Sequence, residues 1–502
     1  MKIKPNIPHA NFKMSDNQMN TKQKFFLTAL LFIFLLFFKI DLSFGQQLEI
    51  KPYKLISQNK DTLLAELCKF KVPLSRSNTK FDSIKIYFVR LKSINTKPGN
   101  PIIYLAGGPG SSGIETAKGK RFSIFKKLRE VADVIILDQR GTGLSNNIPN
   151  CLNKINFDLE KPIQRNEYVV KTKDNIEKCL DFWKEKNVNI WAYNTTENAK
   201  DLEDLRKILK IQKISLWGLS YGSHLAFEYI RLYEKKIDKL VLASLEGPNE
   251  TIKYPRDTEA FLFNIAELAK SNHGSEKKYL NLKLEIETVH QRLIQKPMVV
   301  ALKNMQGTID SIGISNFELQ SAISTFYLKN PEDSKILPGL YTKMYNGDFT
   351  DIARQVFIMK QYILNGIQSM PFAMDMSSGI SKRKNIEIEN QIENSILGST
   401  INLLFYEWMN VITYAPLPKK FRKMKSNNVK ALLFSGTMDG RTYLTSGIKI
   451  AKKFKRGRHV IVENGGHDIY EQSAKIADEV FNFFMNITSN TTKIDLAPVI
   501  FN

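Results

Sequence analysis

The stretch Ile214-Ser-Leu-Trp-Gly-Leu-Ser-Tyr-Gly222 decides the predicted fold of this chain. Its first four residues are an apolar run that predicts a buried strand, and apolar residues at helical spacing from Tyr221 to Tyr233 predict a helix directly after it. Between the two lies the pattern G-x-S-x-G, whose glycines permit a very tight turn. Such a turn holds the Ser220 hydroxyl clear of the sheet at a helix N-terminus, which favours negative charge. Ser220 is therefore the candidate nucleophile.

Further short apolar runs surround this turn and alternate with amphipathic helical patterns. Continuously apolar strands are typical of a parallel sheet that helices cover on both faces. We therefore predict an α/β fold with a mostly parallel sheet. The other predicted strands cover 84–91, 101–106, 133–137, 239–243, 429–434 and 459–462.

The stretch from 251 to 419 differs, because apolar residues recur there at helical spacing and no short apolar run followed by glycines interrupts them. We predict a helical cap inserted between two strands of the sheet. The predicted organisation is a targeting segment over 1–45, the first part of the core over 46–250, the cap over 251–419 and the second part of the core over 420–502.

An aspartate and a histidine complete a candidate triad. Asp439 follows the predicted strand 429–434, and His467 follows the strand 459–462. The order Ser, Asp, His is the order of an α/β-hydrolase triad. Of the six histidines, only His467 lies in a loop directly after a sheet strand. Asp468, the main rival of Asp439, adjoins the histidine and is badly placed to orient its ring.

Two backbone N–H groups are candidates for an oxyanion hole, in which hydrogen bonds stabilise the charge that develops on a carbonyl oxygen. One is the N–H of Tyr221, whose side chain we expect to line the pocket. The other lies in Gly107-Gly-Pro-Gly110, which follows the strand 101–106. Glycines let a backbone come close to a bound carbonyl. We prefer the amide of Gly108, with Gly107 as a near rival.

Composition excludes several classes of function. The 502 residues carry a net charge of +23, but the excess is mostly lysine scattered along the chain, without a zinc finger or an RNA-binding signature. Charge without a motif supplies only non-specific binding, so we expect no nucleic-acid partner. No H-E-x-x-H or paired-cysteine pattern occurs, so we expect no metal and no cofactor.

The N-terminus resembles a secretory signal. Lys22 and Lys24 precede an apolar run over 25–38, which suits a signal better than a bilayer span of about 20 residues. We expect cleavage before Gln46 and export to a periplasmic or extracellular location. The alternative is an uncleaved anchor over 25–44, which would be the chain's only membrane contact.

Export permits disulfides. With three cysteines, at most one internal pair forms. We expect Cys151 to pair with Cys179 and Cys68 to be buried.

Together these motifs resemble the prolyl and tripeptidyl aminopeptidase family of α/β-hydrolases. The motifs are Gly107-Gly-Pro-Gly110, Asp138-Gln-Arg-Gly-Thr-Gly-Leu-Ser145, Gly218-Leu-Ser-Tyr-Gly222, Asp439 and His467. The resemblance implies the triad, a helical cap and release of residues or short peptides from free amino termini, without metal or cofactor.

In some relatives, cap carboxylates bind the free amine of the substrate. The candidates here are Asp375 and Glu407, with Glu246 just past the strand 239–243. The chain departs from the family pattern at Ala106, where proline-specific members usually have histidine, and it has no cysteine in the cap.

Three functions therefore stay open at this point. The first is a serine aminopeptidase, and the second is an esterase or other carbonyl hydrolase with the same triad. The third is a non-catalytic binding protein, because a fold does not dictate an activity. The partner is a peptide or a small ester in the first two cases. The sequence does not determine the oligomeric state.

Overall fold

The computed structural model describes residues 48–501, except 78–81, 152–153, 156, 272–276, 304–308, 365–366 and 404. The predicted targeting segment over 1–45 lies outside the described residues. In chain order the strands are β1 (Glu49–Ile56), β2 (Thr62–Pro73), β3 (Ser83–Leu91), β4 (Ile102–Leu105), β5 (Val134–Asp138), β6 (Ile214–Leu219), β7 (Ile237–Ala243), β8 (Met298–Lys303), β9 (Ile309–Ile314), β10 (Asn427–Gly436), β11 (Phe454–Glu463) and β12 (Lys493–Asp495).

All of these strands except β8 and β9 form one sheet in the order β1-β2-β3-β5-β4-β6-β7-β10-β11-β12. The pairs β1–β2, β2–β3 and β3–β5 are antiparallel, and the pairs from β5 across to β12 are parallel. The predicted mostly parallel sheet is thus confirmed. Its parallel strands direct their carboxyl ends to one rim, where α/β folds hold their ligands.

Continuous apolar runs form the central strands because both faces of the sheet are covered. Ile103 and Leu105 of β4 pack into the apolar cluster on one face, while Ile102 and Tyr104 pack into the cluster on the other. Successive side chains of a strand point to opposite faces. A strand covered on both faces therefore needs an apolar residue at every position, as β4 has.

Helices lie between and after the strands. The described helices are α1 (Gly113–Lys118), α2 (Phe122–Leu128), α3 (Arg165–Glu185), α4 (Thr195–Ile208), α5 (Tyr221–Tyr233), α6 (Pro255–Ser271), α7 (Leu282–Gln295), α8 (Asn316–Phe326), α9 (Pro331–Ser334), α10 (Leu337–Tyr345), α11 (Thr350–Leu364), α12 (Ser369–Ser378), α13 (Lys382–Ile392), α14 (Phe405–Met409), α15 (Leu444–Ala451) and α16 (Ala474–Phe484). No described helix has the length and apolar character that a membrane span requires.

The segment between β7 and β10 is mainly helical and contains α6 to α14. It has an apolar cluster of its own, in which Phe261 and Leu262 of α6 pack with Ile286 of α7 and Leu319 of α8. The segment also contains the antiparallel pair β8–β9, which the sequence reading did not predict. The six-residue strand β8 is too short for its periodicity to distinguish it from a helical segment.

A disulfide joins Cys151 to Cys179 of α3, with their Cα atoms 5.6 Å apart. Cys68 lies buried in β2 without a disulfide partner. Burial raises the pKa of the Cys68 thiol to about 11. A thiol in this state is a poor nucleophile, so Cys68 contributes to the core rather than to chemistry.

Candidate active site

Ser220 lies in a tight turn between β6 and α5. Its backbone has φ 55° and ψ −123°, a conformation that residues other than glycine rarely adopt. The turn also requires glycine at position 222 and leaves little room for a side chain at position 218. A Cβ at Gly222 would lie 2.1 Å from the carbonyl oxygen of Leu105, and a Cβ at Gly218 would lie 3.0 Å from the Gly222 backbone. Helix α5 therefore packs directly on the sheet, with Ser220 above its rim.

Asp439 and His467 come from neighbouring loops that backbone contacts join closely. A Cβ at Gly436 would lie 2.1 Å from the carbonyl oxygen of Gly465, so only glycine permits this approach. The N–H of Met438 donates to the same carbonyl at 2.8 Å. These contacts hold the loop after β10 against the loop after β11. As a result, Nδ1 of His467 lies 3.0 and 3.1 Å from the two carboxylate oxygens of Asp439.

The Asp439 carboxylate is fully engaged in hydrogen bonds. Oδ1 accepts the N–H groups of Arg441 and Thr442, each at 2.8 Å, and Oδ2 accepts the Thr442 hydroxyl at 2.6 Å. Burial opposes ionisation, but His467 and the Thr442 hydrogen bonds outweigh it and hold the pKa of Asp439 below its ordinary value. Asp439 is therefore a stable anion that accepts the Nδ1–H of His467 and leaves Nε2 free of this bond.

Ser220 and His467 line the same cavity, whose volume is about 870 Å³. No hydrogen bond joins the serine hydroxyl to the imidazole among the described residues. Two backbone contacts position the His467 loop: its N–H donates to the Lys329 carbonyl at 3.0 Å, and its carbonyl accepts the Ser244 hydroxyl at 2.6 Å. Catalytic hydrogen bonds often tighten only when substrate binds. We refer to Ser220, Asp439 and His467 as the serine end of the cavity.

Both candidate oxyanion donors lie beside Ser220. Tyr221 is the first residue of α5, and its N–H has no acceptor in the described part of the chain. Gly107 and Gly108 line the cavity, and neither of their N–H groups has an acceptor among the residues described. A Cβ at Gly107 would lie only 3.2 Å from the Cβ of Ser220. The glycine loop thus passes directly against the candidate nucleophile, although the geometry does not choose between its two N–H groups.

The Tyr221 side chain does not line the cavity, contrary to the sequence-based expectation. It is fully buried, and its hydroxyl lies 3.0 Å from Oγ1 of Thr195 and 3.0 Å from the sulfur of Met374. Burial raises the pKa of its phenol. The side chain of Tyr221 therefore anchors α5 to its surroundings, and only its N–H is available to the site.

The other described histidines make structural contacts. His224 lies between the Gly247 carbonyl and the Ser378 hydroxyl, and His459 contacts the Ser435 hydroxyl at 3.0 Å. His290 is buried between the side chains of Asn316 and Tyr341, and burial lowers its pKa to about 4. His9 and His273 lie outside the described residues. None of the three described histidines lines the cavity that contains Ser220.

Two of the three predicted substrate-binding carboxylates line this cavity. Glu246 follows β7, and Asp375 lies on α12. Asp375 is only 5% exposed, and neither of its carboxylate oxygens has a hydrogen-bond partner among the described residues. Burial, together with the negative charge of Glu246, raises the pKa of Asp375 well above its ordinary value, and Lys253 offsets this only in part. A buried carboxylate without a partner is costly as an anion unless a proton or a positively charged group neutralises it.

Lys253 is the immediate partner of Glu246. Its Nζ lies 3.3 Å from the Glu246 carboxylate and also donates to the carbonyl oxygens of Glu250 and Thr251. The Glu246 carboxylate is thus partly neutralised by Lys253, whereas the Asp375 carboxylate keeps its full hydrogen-bonding capacity. We refer to Glu246, Asp375 and Lys253 as the carboxylate end of the cavity.

The structure does not bring Glu407 to the cavity. Glu407 lies buried on α14, where its carboxylate accepts the Ser399 hydroxyl at 2.5 Å and lies 3.3 Å from the Arg165 guanidinium. Burial raises the pKa of Glu407, although these two partners oppose the shift. Glu407 therefore holds neighbouring elements together, and it is separate from the candidate amine site.

Comparison with known families agrees with this geometry. Residues 100–275 match a family model described as the alpha/beta hydrolase fold, and residues 406–494 match one described as TAP-like protein. The first match contains the turn at Ser220, and the second contains Asp439 and His467. The chain therefore has the α/β-hydrolase fold, and the predicted resemblance to aminopeptidases with this fold is confirmed.

Individual relatives match over part of the chain. The chain is 26% identical to the serine protease Hip1 of Mycobacterium tuberculosis over 41% of each protein. It is 24% identical to a tripeptidyl aminopeptidase of Streptomyces lividans, over 36% of this chain and 35% of the relative. It is 30% identical to a putative proline iminopeptidase of Mycoplasma genitalium, over 29% of this chain and 33% of the relative. The chain thus spans less than half the length of these curated relatives.

Sequence reasoning missed Thr442 and Lys253. A threonine three residues after an aspartate is typical of a local turn in which the carboxylate accepts nearby N–H and O–H groups, so Thr442 carried a usable signal. Lys253 had none, because its ion pair depends on how the chain turns after β7. No cluster of possible metal ligands occurs among the described residues.

Proposed function

We propose that this chain is a serine hydrolase, and specifically an aminopeptidase that releases residues or short peptides from free peptide amino termini. One observation carries the proposal: a single cavity contains the turn serine, the imidazole bound to Asp439 and the unpartnered carboxylate of Asp375. A peptide amine is positively charged at neutral pH and would give Asp375 its missing partner. The relatives named as peptidases support the same reaction class.

In the proposed reaction, Oγ of Ser220 attacks the carbonyl carbon of the scissile amide. Because a serine hydroxyl is a weak nucleophile at neutral pH, Nε2 of His467 removes its proton as the new bond forms. Asp439 holds Nδ1–H and stabilises the resulting imidazolium. The negative charge on the former carbonyl oxygen is stabilised by the N–H groups of Tyr221 and Gly108, each worth about 3–4 kcal/mol.

Collapse of this intermediate breaks the carbon–nitrogen bond and yields an acyl-enzyme. His467 gives the proton it took from Ser220 to the departing amine. Water then attacks the ester carbonyl while the same imidazole removes a water proton, and Ser220 leaves as a hydroxyl. The carboxylate end fixes the free amine at a set distance from Ser220. This distance selects an amino-terminal cleavage site rather than an internal one.

Paired chromogenic anilides test the proposal. We expect wild-type protein to cleave aminoacyl or tripeptidyl anilides with a free amine and to discriminate strongly against their N-acetylated forms. A Ser220→Ala variant should lose both this turnover and labelling by a fluorophosphonate probe. Ser321→Ala is a control, because Ser321 is also a buried helical serine, but its hydroxyl donates to the Phe317 carbonyl on α8 and it does not line the cavity.

Fast turnover of short acyl esters, together with inert anilides, would instead assign the chain to the esterases. Binding of peptides without turnover of either substrate type would indicate a non-catalytic binding protein. Labelling that persists in the Ser220→Ala protein would contradict the assigned nucleophile.

We also propose that the protein is exported. The lysine-flanked apolar run over 25–38 supports export, and so does the disulfide between Cys151 and Cys179, because disulfides persist mainly in oxidising compartments. Mass spectrometry of the mature protein tests this proposal. A chain that begins at Gln46 is expected, and a chain that retains residues before Phe25 would indicate an anchor or no export.

A further inference from the structure

Four lysine and arginine residues line the cavity, and three of them have an anionic partner. Lys253 contacts Glu246, and Lys329 contacts Asp468 at 2.8 Å. Arg121 also lies 3.0 Å from Glu471 and donates to the Tyr104 hydroxyl at 2.6 Å. These three positive charges therefore already have anionic partners within the protein.

Arg441 is the fourth, and it differs from the others. It lines the same cavity and keeps part of its surface accessible, yet its guanidinium makes no hydrogen bond or ion pair with any described residue. A guanidinium presents a planar set of N–H donors that matches the two oxygens of a carboxylate. A cation left unpaired in a cavity is costly unless a ligand supplies the counter-charge.

Stabilisation of Asp439 is the simplest alternative role for Arg441. The hydrogen bonds of the carboxylate argue against a direct contact, because both of its oxygens are occupied by Thr442, by His467 and by the backbone N–H of Arg441. Arg441 thus lines the cavity two residues beyond the aspartate, with a guanidinium that this carboxylate does not engage. Burial lowers the pKa of Arg441, and the nearby Tyr443 and Asp439 offset this only in part.

We propose that Arg441 binds a carboxylate of the peptide substrate, so that the cavity recognises both an ammonium and a carboxylate on one short chain. This inference rests on the aminopeptidase function proposed above and adds a preference to it. The cavity of about 870 Å³ has the size of sites that enclose small ligands. The carboxylate comes either from the carboxyl terminus of a short peptide or from an acidic side chain near the cleavage site.

Matched substrate pairs separate these two sources. The first pair is tetra-alanine with a free carboxyl terminus and the same peptide as its amide. The second set is amidated peptides that carry Asp or Asn at one position at a time. We expect the wild-type enzyme to prefer the charged member of at least one pair, and Arg441→Gln to reduce this ratio of kcat/KM by about 10- to 100-fold. Preference within the first pair identifies the chain terminus, and preference within the second identifies a side chain.

The ratio is informative because damage to the triad affects both members of a pair equally. Lys329→Gln removes a charge from the same cavity and serves as the matched control, for which we expect a ratio within about twofold of wild type. If Arg441→Gln and Lys329→Gln reduced this ratio equally, the preference would come from the overall positive charge of the cavity. The assignment of carboxylate binding to Arg441 would then be overturned. Arg441→Lys keeps the charge without the planar donors and should restore the ratio only in part.

Equal kcat/KM values for both members of every pair in the wild-type enzyme would overturn the inference without any variant. Peptide turnover with such equal values refutes only the role of Arg441. A protein that cleaves no peptide at all refutes the proposed function and, with it, this inference.

Discussion

The serine end and the carboxylate end of the cavity are built in opposite ways. At the serine end, Asp439 accepts hydrogen bonds on both oxygens, and glycines at 222 and 436 permit backbone contacts that no other residue allows. At the carboxylate end, Asp375 is buried and has no hydrogen-bond partner within the part of the chain that the structure describes. The first region is complete within the protein, whereas the second lacks a partner that a ligand could supply.

The pKa values of two aspartates express this difference. Hydrogen bonds and His467 overcome burial at Asp439 and lower its pKa, while burial and the charge of Glu246 raise the pKa of Asp375. Strongly perturbed carboxyl groups in a cavity are candidates for function. The two opposite pKa shifts are consistent with different roles. Asp439 is already an anion in the free protein, whereas Asp375 ionises most easily when a cation is bound.

The largest effect is expected at the serine end. His467→Ala removes the base that activates Ser220, and we expect kcat on a free-amine anilide to fall by about 10⁴–10⁶-fold. His459→Gln is the control, because His459 contacts Ser435 and does not line the cavity. Similar losses in the two variants would show that any histidine change damages the fold, and the comparison of the two ends would lose its basis.

A smaller effect is expected at the carboxylate end. Asp375→Asn keeps the shape of the side chain and removes its charge, so we expect kcat/KM for free-amine substrates to fall by about 10- to 100-fold relative to N-acetylated ones. Glu407→Gln is the matched control, since Glu407 is also buried but contacts Ser399 and Arg165 outside the cavity. If both variants shift the ratio alike, Asp375 is not the amine site.

A third variant tests whether the serine end depends on its own hydrogen bonds. Thr442→Val removes the hydroxyl that donates to Oδ2 of Asp439 at 2.6 Å. We expect kcat to fall by about tenfold, with a greater loss at acid pH because the carboxylate becomes easier to protonate. Thr442→Ser retains a hydroxyl and should recover most of the activity. A pH profile that is identical in the Val variant and the wild type would contradict this role for Thr442.

The two ends also differ in how much the sequence predicted. Ser220, Asp439 and His467 each follow a short apolar strand, and strand ends are recognisable without knowledge of the tertiary structure. Parallel strands then bring such residues to one rim. Helix α5 was predicted with the same bounds that the structure has, Tyr221–Tyr233. Local signals were therefore sufficient for most of this region.

The carboxylate end was predicted only in part. Asp375 and Glu407 looked alike, because both lie in helices of the segment between β7 and β10 and no local pattern says which helix reaches the cavity. Packing decides this: α12 presents Asp375 to the cavity, while α14 places Glu407 against Arg165. Arg441 had no signal either, since an unpaired charge is recognisable only when its surroundings are known.

The smallest expected effect, on thermal stability, distinguishes the two aspartates by sign. Asp439 has a lowered pKa in the folded state, so its contribution to stability is present above the ordinary carboxyl pKa of about 3.9 and is lost as pH falls through the folded value. Asp375 has a raised pKa, so the folded protein holds a proton that the unfolded chain releases. Because of this proton, Asp375 lowers the free energy of unfolding progressively as pH rises above about 3.9.

Melting temperatures of Asp375→Asn, Asp439→Asn and the wild type, measured between about pH 2 and about pH 8, test these signs. We expect the melting temperature of Asp375→Asn to increase relative to that of the wild type as pH rises. We expect Asp439→Asn to melt at a lower temperature than the wild type at neutral pH, and we expect this difference in melting temperature to decrease toward acid pH. In a chain of this length, shifts on the order of a few degrees or less are expected. An Asp375→Asn protein that loses stability with rising pH would mean that Asp375 is already paired in the folded state. The carboxylate end would then be as complete as the serine end, and it would have no need of a substrate amine.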